Sequence, residues 1–468
     1  MSAAPPPRAS PAVHRTRPTG EDLRALARLA LPVVTVEVGL MTMATVDAMM
    51  VGHLSATALA ATALASAWFH GTVVLAIGTL VGFEALLSQA VGAGDVRAYR
   101  LALQRGLVLA ALLAVPFALL LWPTAPLLRA IGQPEEIIAP AARFTRISIA
   151  GIPPLLAFIV LRQALQARNR VRPVVLAILV ANGVNAALNW LLVFGHLGLP
   201  ALGTDGSAIA SATARWALVV ALVALARTDL APHLVHREPG AAEPAALLRM
   251  LRLGVPVGVQ YLLEVGVFAV VALLMGTLAT RTLAAHQVAI SLASLTFMIP
   301  LGIGAATSVL VGQAIGRDDA PGARRAAGAG LVLGALVMTV SATAFLTVPH
   351  ALAALYVSDR AVIALAASFL PVAGLFQLFD GTQAVAGGAL RGAGDTRAAM
   401  WANILGFWAI GLPLGLLLAF RLGHGPAGLW WGLAIGLAAV ALVLVVRVRQ
   451  RFAAPLARTL VDAPAVPA

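Results

Sequence analysis

The sequence has no cysteine and no lysine, and only 11% of its 468 residues are charged. The missing cysteine excludes disulfides, thiolate metal sites and a cysteine nucleophile. The scarcity of charge excludes a soluble fold of this length, because roughly a quarter of the residues of a water-facing domain are charged. With 60% hydrophobic residues, lipid has to be the solvent for most of the exterior. A span needs about 20 mostly apolar residues to cross a hydrocarbon core of roughly 30 Å. Such stretches are predicted at 27–51, 57–92, 98–122, 147–166, 173–195, 206–226, 253–278, 282–316, 326–348, 361–390, 398–420 and 427–446. Little chain is left between them, so no large soluble domain is expected. No span holds a two-histidine metal spacing and no Gly-x-Ser-x-Gly occurs, which leaves a membrane-embedded enzyme without its chemistry.

What charge there is has one sign in excess: all 32 basic residues are Arg and the formal net charge is +13. The positions of these residues argue for a topology signal and against a nucleic-acid partner. Arg8, Arg15, Arg17, Arg24 and Arg28 precede or open the first span. Alternate connections carry Arg97, Arg100 and Arg105, then Arg162, Arg168, Arg170 and Arg172, then Arg227, Arg237, Arg249 and Arg252. The series ends with Arg317, Arg324, Arg325, Arg391, Arg397, Arg447, Arg449, Arg451 and Arg458. The opposite connections hold only Arg129, Arg143, Arg146, Arg281, Arg360 and Arg421, and Arg215 alone reads as deep in a span. Basic loop residues stay cytoplasmic, so both termini are expected inside.

An internal repeat organises the chain. Shifted by 224 positions (256 − 32), the halves register without a gap: Pro32 on Pro256, Gly52 on Gly276, Gln89 on Gln313, Gly92 on Gly316, Asp95 on Asp319 and Arg100 on Arg324. Matches of Ala and Leu are cheap in a chain so rich in them; Pro, Gly, Gln, Asp and Arg in one register are not. Six spans per unit is an even number, so the second unit enters the membrane in the orientation of the first, with a cavity expected between the two. The expected fold is an all-α integral membrane protein of twelve transmembrane helices in two pseudo-symmetric six-helix bundles. Its parts are a disordered cytoplasmic tail at 1–24, one lobe at 25–228, a cytoplasmic linker at 229–248, a second lobe at 249–450 and a tail at 451–468.

An ionised side chain at mid-bilayer costs several kcal/mol, at least about 2.5–3.5, so it usually faces a cavity and serves a function. Asp47 in the first span, Glu264 in the seventh and Asp380 in the tenth are such residues, and their repeat equivalents are Val271, Leu40 and, with the offset of 225 that suits the later spans, Leu155. Acids needed for packing in an ancestral unit would survive in both halves; acids in one half only point to a site. Glu37 lies roughly 15 Å from Asp47 along the helix and about 80° around it, nearer the inner end, and reads with Glu84 as interfacial. Asn182, Asn185 and Asn189 lie in the fifth span, the last two on one face; with Ser211 they form a candidate polar patch near Asp47. His286 and Gln287 open the eighth span. Prolines 32, 116, 153, 154, 256, 300, 371 and 413 are candidate kinks.

These residues resemble the multidrug and toxic compound extrusion (MATE) family in its NorM-type branch, over roughly residues 25 to 450. The telling stretches are Glu264-Val-Gly-Val-Phe-Ala-Val-Val-Ala-Leu-Leu, Ala284-Ala285-His286-Gln287-Val288-Ala289 and Ala389-Leu390-Arg391-Gly392. Asp47, Glu264 and Asp380 match the family's acids, and Asn185 and Asn189-Trp190 match its polar fifth span. The resemblance implies a monomeric antiporter of the bacterial inner membrane that exports lipophilic, often cationic compounds against sodium ions or protons, without a cofactor. Glu264 and Asp380 would then hold the coupling ion, Na+ being the metal, while Asp47 serves the first lobe or the drug. Phe376 stands where relatives often carry an aromatic. Leu292 and Leu40 depart from relatives that have an aromatic and a polar residue there. Two rival transporters fit less well. A flippase for lipid-linked sugars should line its cavity with several basic residues, and a major-facilitator protein should carry a basic signature after the second span, where this chain has Val91-Gly-Ala-Gly-Asp-Val-Arg.

Overall fold

The computed structural model describes residues 17–462, and among these the regular structure is entirely helical. The first lobe comprises α1 (Gly20–Gly52), α2 (Ala56–Val81), α3 (Glu84–Gly92), α4 (Val96–Leu121), α5 (Thr124–Ala130), α6 (Glu135–Ile149), α7 (Ile152–Ala167), α8 (Arg172–Phe194) and α9 (Gly203–Leu225). A short α10 (Arg227–Leu234) leads to the second lobe: α11 (Pro244–Leu278), α12 (Thr280–Gly316), α13 (Ala320–Thr347), α14 (Pro349–Ala354), α15 (Arg360–Gly392), α16 (Arg397–Asn403), α17 (Leu412–Leu416) and α18 (Gly425–Ala453). Among the described residues eleven helical stretches are long and apolar enough to cross a membrane, and α6 with α7, bent by 48°, brings the number to twelve when the pair is taken as one broken span.

The bent span starts at Glu135, twelve residues before the apolar stretch read from the sequence, because Arg143 and Arg146 interrupt the apolar run without ending the helix. It breaks at Ala150 and Gly151, just before Pro153 and Pro154. Pro32, Pro116, Pro256, Pro300 and Pro371 lie within continuous helices. The eleventh span is interrupted by π-helical turns at Ile404–Gly411 and Leu417–Arg421, with Pro413 in α17 between them.

The repeat is visible in the capping of equivalent helices. Asp95 caps α4 by accepting from the Ala98 N–H at 2.9 Å, and Asp319 caps α13 by accepting from the Gly322 N–H at 2.8 Å. Gln89 and Gln313 make a second matched pair. The Gln89 side chain donates to the Gly392 carbonyl of the second lobe at 2.9 Å, and the Gln313 side chain donates to the Ala167 carbonyl of the first at 2.8 Å. Each lobe therefore reaches across the seam with the same residue.

The seam closes at the end of the bundle that carries both termini. Lipid offers no hydrophobic force between helices, so close packing depends on small residues. Here α2 meets α11 backbone to backbone: a Cβ on Gly78 would strike Gly258, and one on Gly82 would strike Gly254. Nearer the bundle's middle, Gly302 of α12 packs on Val34 of α1. At the far end Met49, Leu54, Leu59 and Leu283 are exposed. The interior between the shut end and this far end holds a cavity of about 680 Å³.

Candidate functional site

The cavity is walled mainly by α1, α2, α7 and α9 of the first lobe, with Tyr261 of α11, Met298 and Ala305 of α12, and Arg391 of α15 from the second. Asp47 projects into it from α1. One carboxylate oxygen of Asp47 accepts from Asn185 Nδ2 at 2.9 Å and from Asn189 Nδ2 at 2.7 Å, both on α8. The other accepts from the Ser211 hydroxyl on α9. The four-residue spacing of Asn185 and Asn189 puts both amides on the α8 face that packs on α1, so the predicted patch forms as one cluster. Asn182, one turn earlier, does not join it: its amide donates to the Gly39 and Ile178 carbonyls, binding α8 to α1.

With their NH2 groups on Asp47, the Oδ1 atoms of Asn185 and Asn189 are buried and have no hydrogen-bond partner. A buried amide oxygen without a donor costs about 1–3 kcal/mol. Thr62 Oγ1, also on the cavity wall, is likewise buried without a partner. Among the described residues no group of three or more His, Cys, Asp or Glu gathers as a transition-metal site would require.

Glu37 and Glu84 depart from the interfacial reading. Glu37 pairs with Arg162 of α7 at 2.7 Å, and both side chains are about nine-tenths buried. Glu84, at the start of α3, lies 4.0 Å from Arg391 of α15, with both side chains nearly inaccessible. All four line the cavity. The sequence pattern assigns Arg162 and Arg391 to the loops and leaves Arg215 alone deep in a span, whereas all three arginines reach the cavity. Arg215 stacks over the Phe69 ring at 4.5 Å. The sequence hides these pairs because their partners are on different helices far apart in the chain. Gln163, also on the cavity wall, is hidden for the same reason, its amide donating to the Leu80 carbonyl of α2, while His70 on that wall bonds within its own helix, to the Ser66 carbonyl.

Glu264 and Asp380 lie in the second lobe, outside the residues lining the cavity. Glu264 is partly buried on α11, and Asp380 is buried on α15. Gln383, one turn after Asp380, has its side chain near the Glu264 carboxylate, and Asp380 itself is within electrostatic reach of Glu264. The i, i+3 spacing from Asp380 was the available signal for Gln383. Phe376, one turn before Asp380, is fully buried, its ring edge-on to Phe268 at 5.9 Å and to Trp430 at 6.3 Å. His286 packs against Trp430 at 5.5 Å and is buried. Gln287 is exposed and reaches only Ser291 on its own helix, at 3.4 Å; the structure does not bring it to the acids. Neighbours on a helix point about 100° apart, so His286 faces in and Gln287 faces out.

The MatE family model matches the chain twice, over residues 32–191 and 256–417, and the two matches start at Pro32 and its repeat equivalent Pro256. The chain is similar to a probable multidrug resistance protein NorM of Mesorhizobium japonicum, 36% identical over 93% of this chain and 96% of that protein. It is likewise similar to one of Rhizobium meliloti, 38% identical over 90% of this chain and 92% of that protein. Among solved structures it resembles the eukaryotic MATE transporter AtDTX14, with a TM-score of 0.83 and 25% identity, covering 92% of this chain and 98% of that one. The fold also matches an outward-facing multidrug resistance MATE family transporter, with a TM-score of 0.84 at 19% identity, over 96% of this chain and 99% of that one. Matched at both repeats and along nearly the whole length of its relatives, the chain belongs to the MatE family, the multidrug and toxic compound extrusion transporters, in the NorM-type branch.

Proposed function

We propose that the protein is a bacterial inner-membrane antiporter, with both termini cytoplasmic, that exports lipophilic, mainly cationic compounds in exchange for sodium ions or protons. The observation that carries this reading is Asp47. Its carboxylate is held by three neutral donors on two neighbouring helices at the wall of an apolar cavity. In such a place a carboxylate takes a proton, a small hard cation or an organic cation, and binding of one disfavours the others. Glu264 and Asp380, within electrostatic reach of one another, form a second acidic locus for the coupling ion in the other lobe. Relatives named as multidrug resistance proteins support the substrate class. The seam shut at the Arg-rich end and the exposed far end fit the outward-open half of an alternating-access cycle.

The flippase reading gains one observation, the three arginines on the cavity wall. Glu37 neutralises Arg162 and Glu84 faces Arg391, while Asp47 lies within the electrostatic reach of Arg215. The cavity thus carries no surplus positive charge to hold a pyrophosphate, and drug antiport remains the better fit. Ethidium efflux from reconstituted vesicles tests it, using Asp47→Asn, Glu264→Gln and Asp380→Asn. A hydrogen bond to a charged group is worth about 1.5–3 kcal/mol, so each variant is expected to lose about tenfold to a hundredfold in efflux while inserting normally. Full export by all three would overturn the reading.

A further inference from the structure

The chain following α18 does not stay with its own lobe. Its start is anchored there: Arg324 Nε of α13 donates to the Phe452 carbonyl at 2.7 Å, and Leu456 packs on the apolar core of the second lobe. Within a few residues the segment has crossed the seam. Arg458 lies 3.4 Å from Asp95, the cap of α4, and the Thr459 N–H donates to Gln89 Oε1 on α3 at 2.6 Å. Val461 packs on the core containing the first-lobe helices, and Asp462 meets Arg105 of α4 at 2.8 Å. Arg105 is itself buried, and the interlobe linker holds it from the other side through the Gly240 carbonyl at 3.1 Å.

The repeat shows that this crossing is not required by the fold. The linker after α9 occupies the place in the first unit that the tail after α18 occupies in the second. That linker remains on its own lobe: Gln104 of α4 donates to the His233 and His236 carbonyls, and Arg100 of α4 pairs with Glu238. The seam glutamines show the same asymmetry, since the Gln89 amide spans the second lobe's Gly392 carbonyl and the tail's Thr459 N–H.

We propose that Leu456–Asp462 is a strap that holds the Arg-rich end of the two lobes together and must peel from α3 and α4 before the opposite-open state can form. The inference rests on the alternating-access reading above. The strap is built for release. A cavity of about 600 Å³ lies alongside it, bordered also by Asp95, Arg97, Arg105 and Glu243 of α4 and the linker. The Asp462 side chain is 54% exposed, and ion pairs this open to water contribute little individually. The strap therefore biases the equilibrium without locking it.

The test uses the full chain in lipid nanodiscs, with spin labels on Ile131→Cys and Leu355→Cys. The absence of native cysteine makes labelling specific. These positions are 64% and 78% exposed and stand at repeat-equivalent sites on the far ends of the two lobes. Opening at the Arg-rich end draws the far ends together, so the shorter interlabel distance reports the peeled state. Val461→Asp, and separately Arg458→Ala with Asp462→Ala, are expected to raise the share of that distance about three- to tenfold. Ala457→Asp, on an exposed residue of the same segment, is expected to match wild type. The paired alanine variant answers the question even if Val461→Asp fails to fold. A wild type with two distances whose populations ignore the tail variants would overturn the strap alone. A wild type with one invariant distance, in sodium and at low pH alike, would overturn both the strap and alternating access.

Discussion

Asp47 is the residue that carries the proposed chemistry, and the surroundings of three asparagines on one helix distinguish them. Asn189 donates to Asp47 at 2.7 Å, whereas Asn182 binds the Gly39 and Ile178 carbonyls. Asn189→Ala removes a donor to the ionised Asp47 and is expected to tighten proton or cation binding there by about 1–3 kcal/mol, seen as a lower ion concentration for half-maximal efflux at little cost in melting temperature. Asn182→Ala is expected to do the reverse, lowering the melting temperature with the ion dependence unchanged. Equal ion dependence in the two variants would contradict this division. The Asp47 cluster was legible in the sequence because one helical period joins Asn185 to Asn189 and a buried acid demands donors. The Glu37–Arg162 and Glu84–Arg391 pairs were not, since no local periodicity connects a residue to a partner on a distant helix.

Helix lengths and order follow from apolar runs, and most were legible to within a few residues. The exceptions have physical causes. Arg143 and Arg146 fall on the exposed face of α6, so a helix continues through a stretch too polar to read as a span. The π-helical turns around Gly406 and Gly411 arise where α18 packs against their backbone, with Gly436 and Val440 in direct contact, and one strand of sequence does not disclose its neighbour. The glycine pairs of α2 and α11 carry the expectation at this scale. A Cβ on Gly258 would land on the Leu75 carbonyl and the Thr79 side chain. Gly258→Val is therefore expected to force the seam apart at a cost of about 1–3 kcal/mol, read as a lower melting temperature in detergent. Gly71→Val, where no neighbour lies within 4 Å, is expected to leave the melting temperature unchanged.

The whole molecule is a symmetric frame with asymmetric contents. The register of 224 residues, the crossing glutamines and the double family match all express the duplication, which the sequence displayed openly because Pro, Gly, Gln and Asp are sparse enough to mark it. Asp47, Glu264 and Asp380 have apolar equivalents in the opposite unit, and the strap has a counterpart that does not cross. On the proposed reading, symmetry supplies two bodies able to rock, and the departures from it supply the ion site, the drug site and the latch. The direct test of the central claim is ethidium export from vesicles of wild-type protein under a sodium gradient, a proton gradient or neither. Coupling through the acids predicts that an inward gradient of at least one ion accelerates export about tenfold or more and that Asp47→Asn removes the acceleration. Equal export rates with and without either gradient would contradict it.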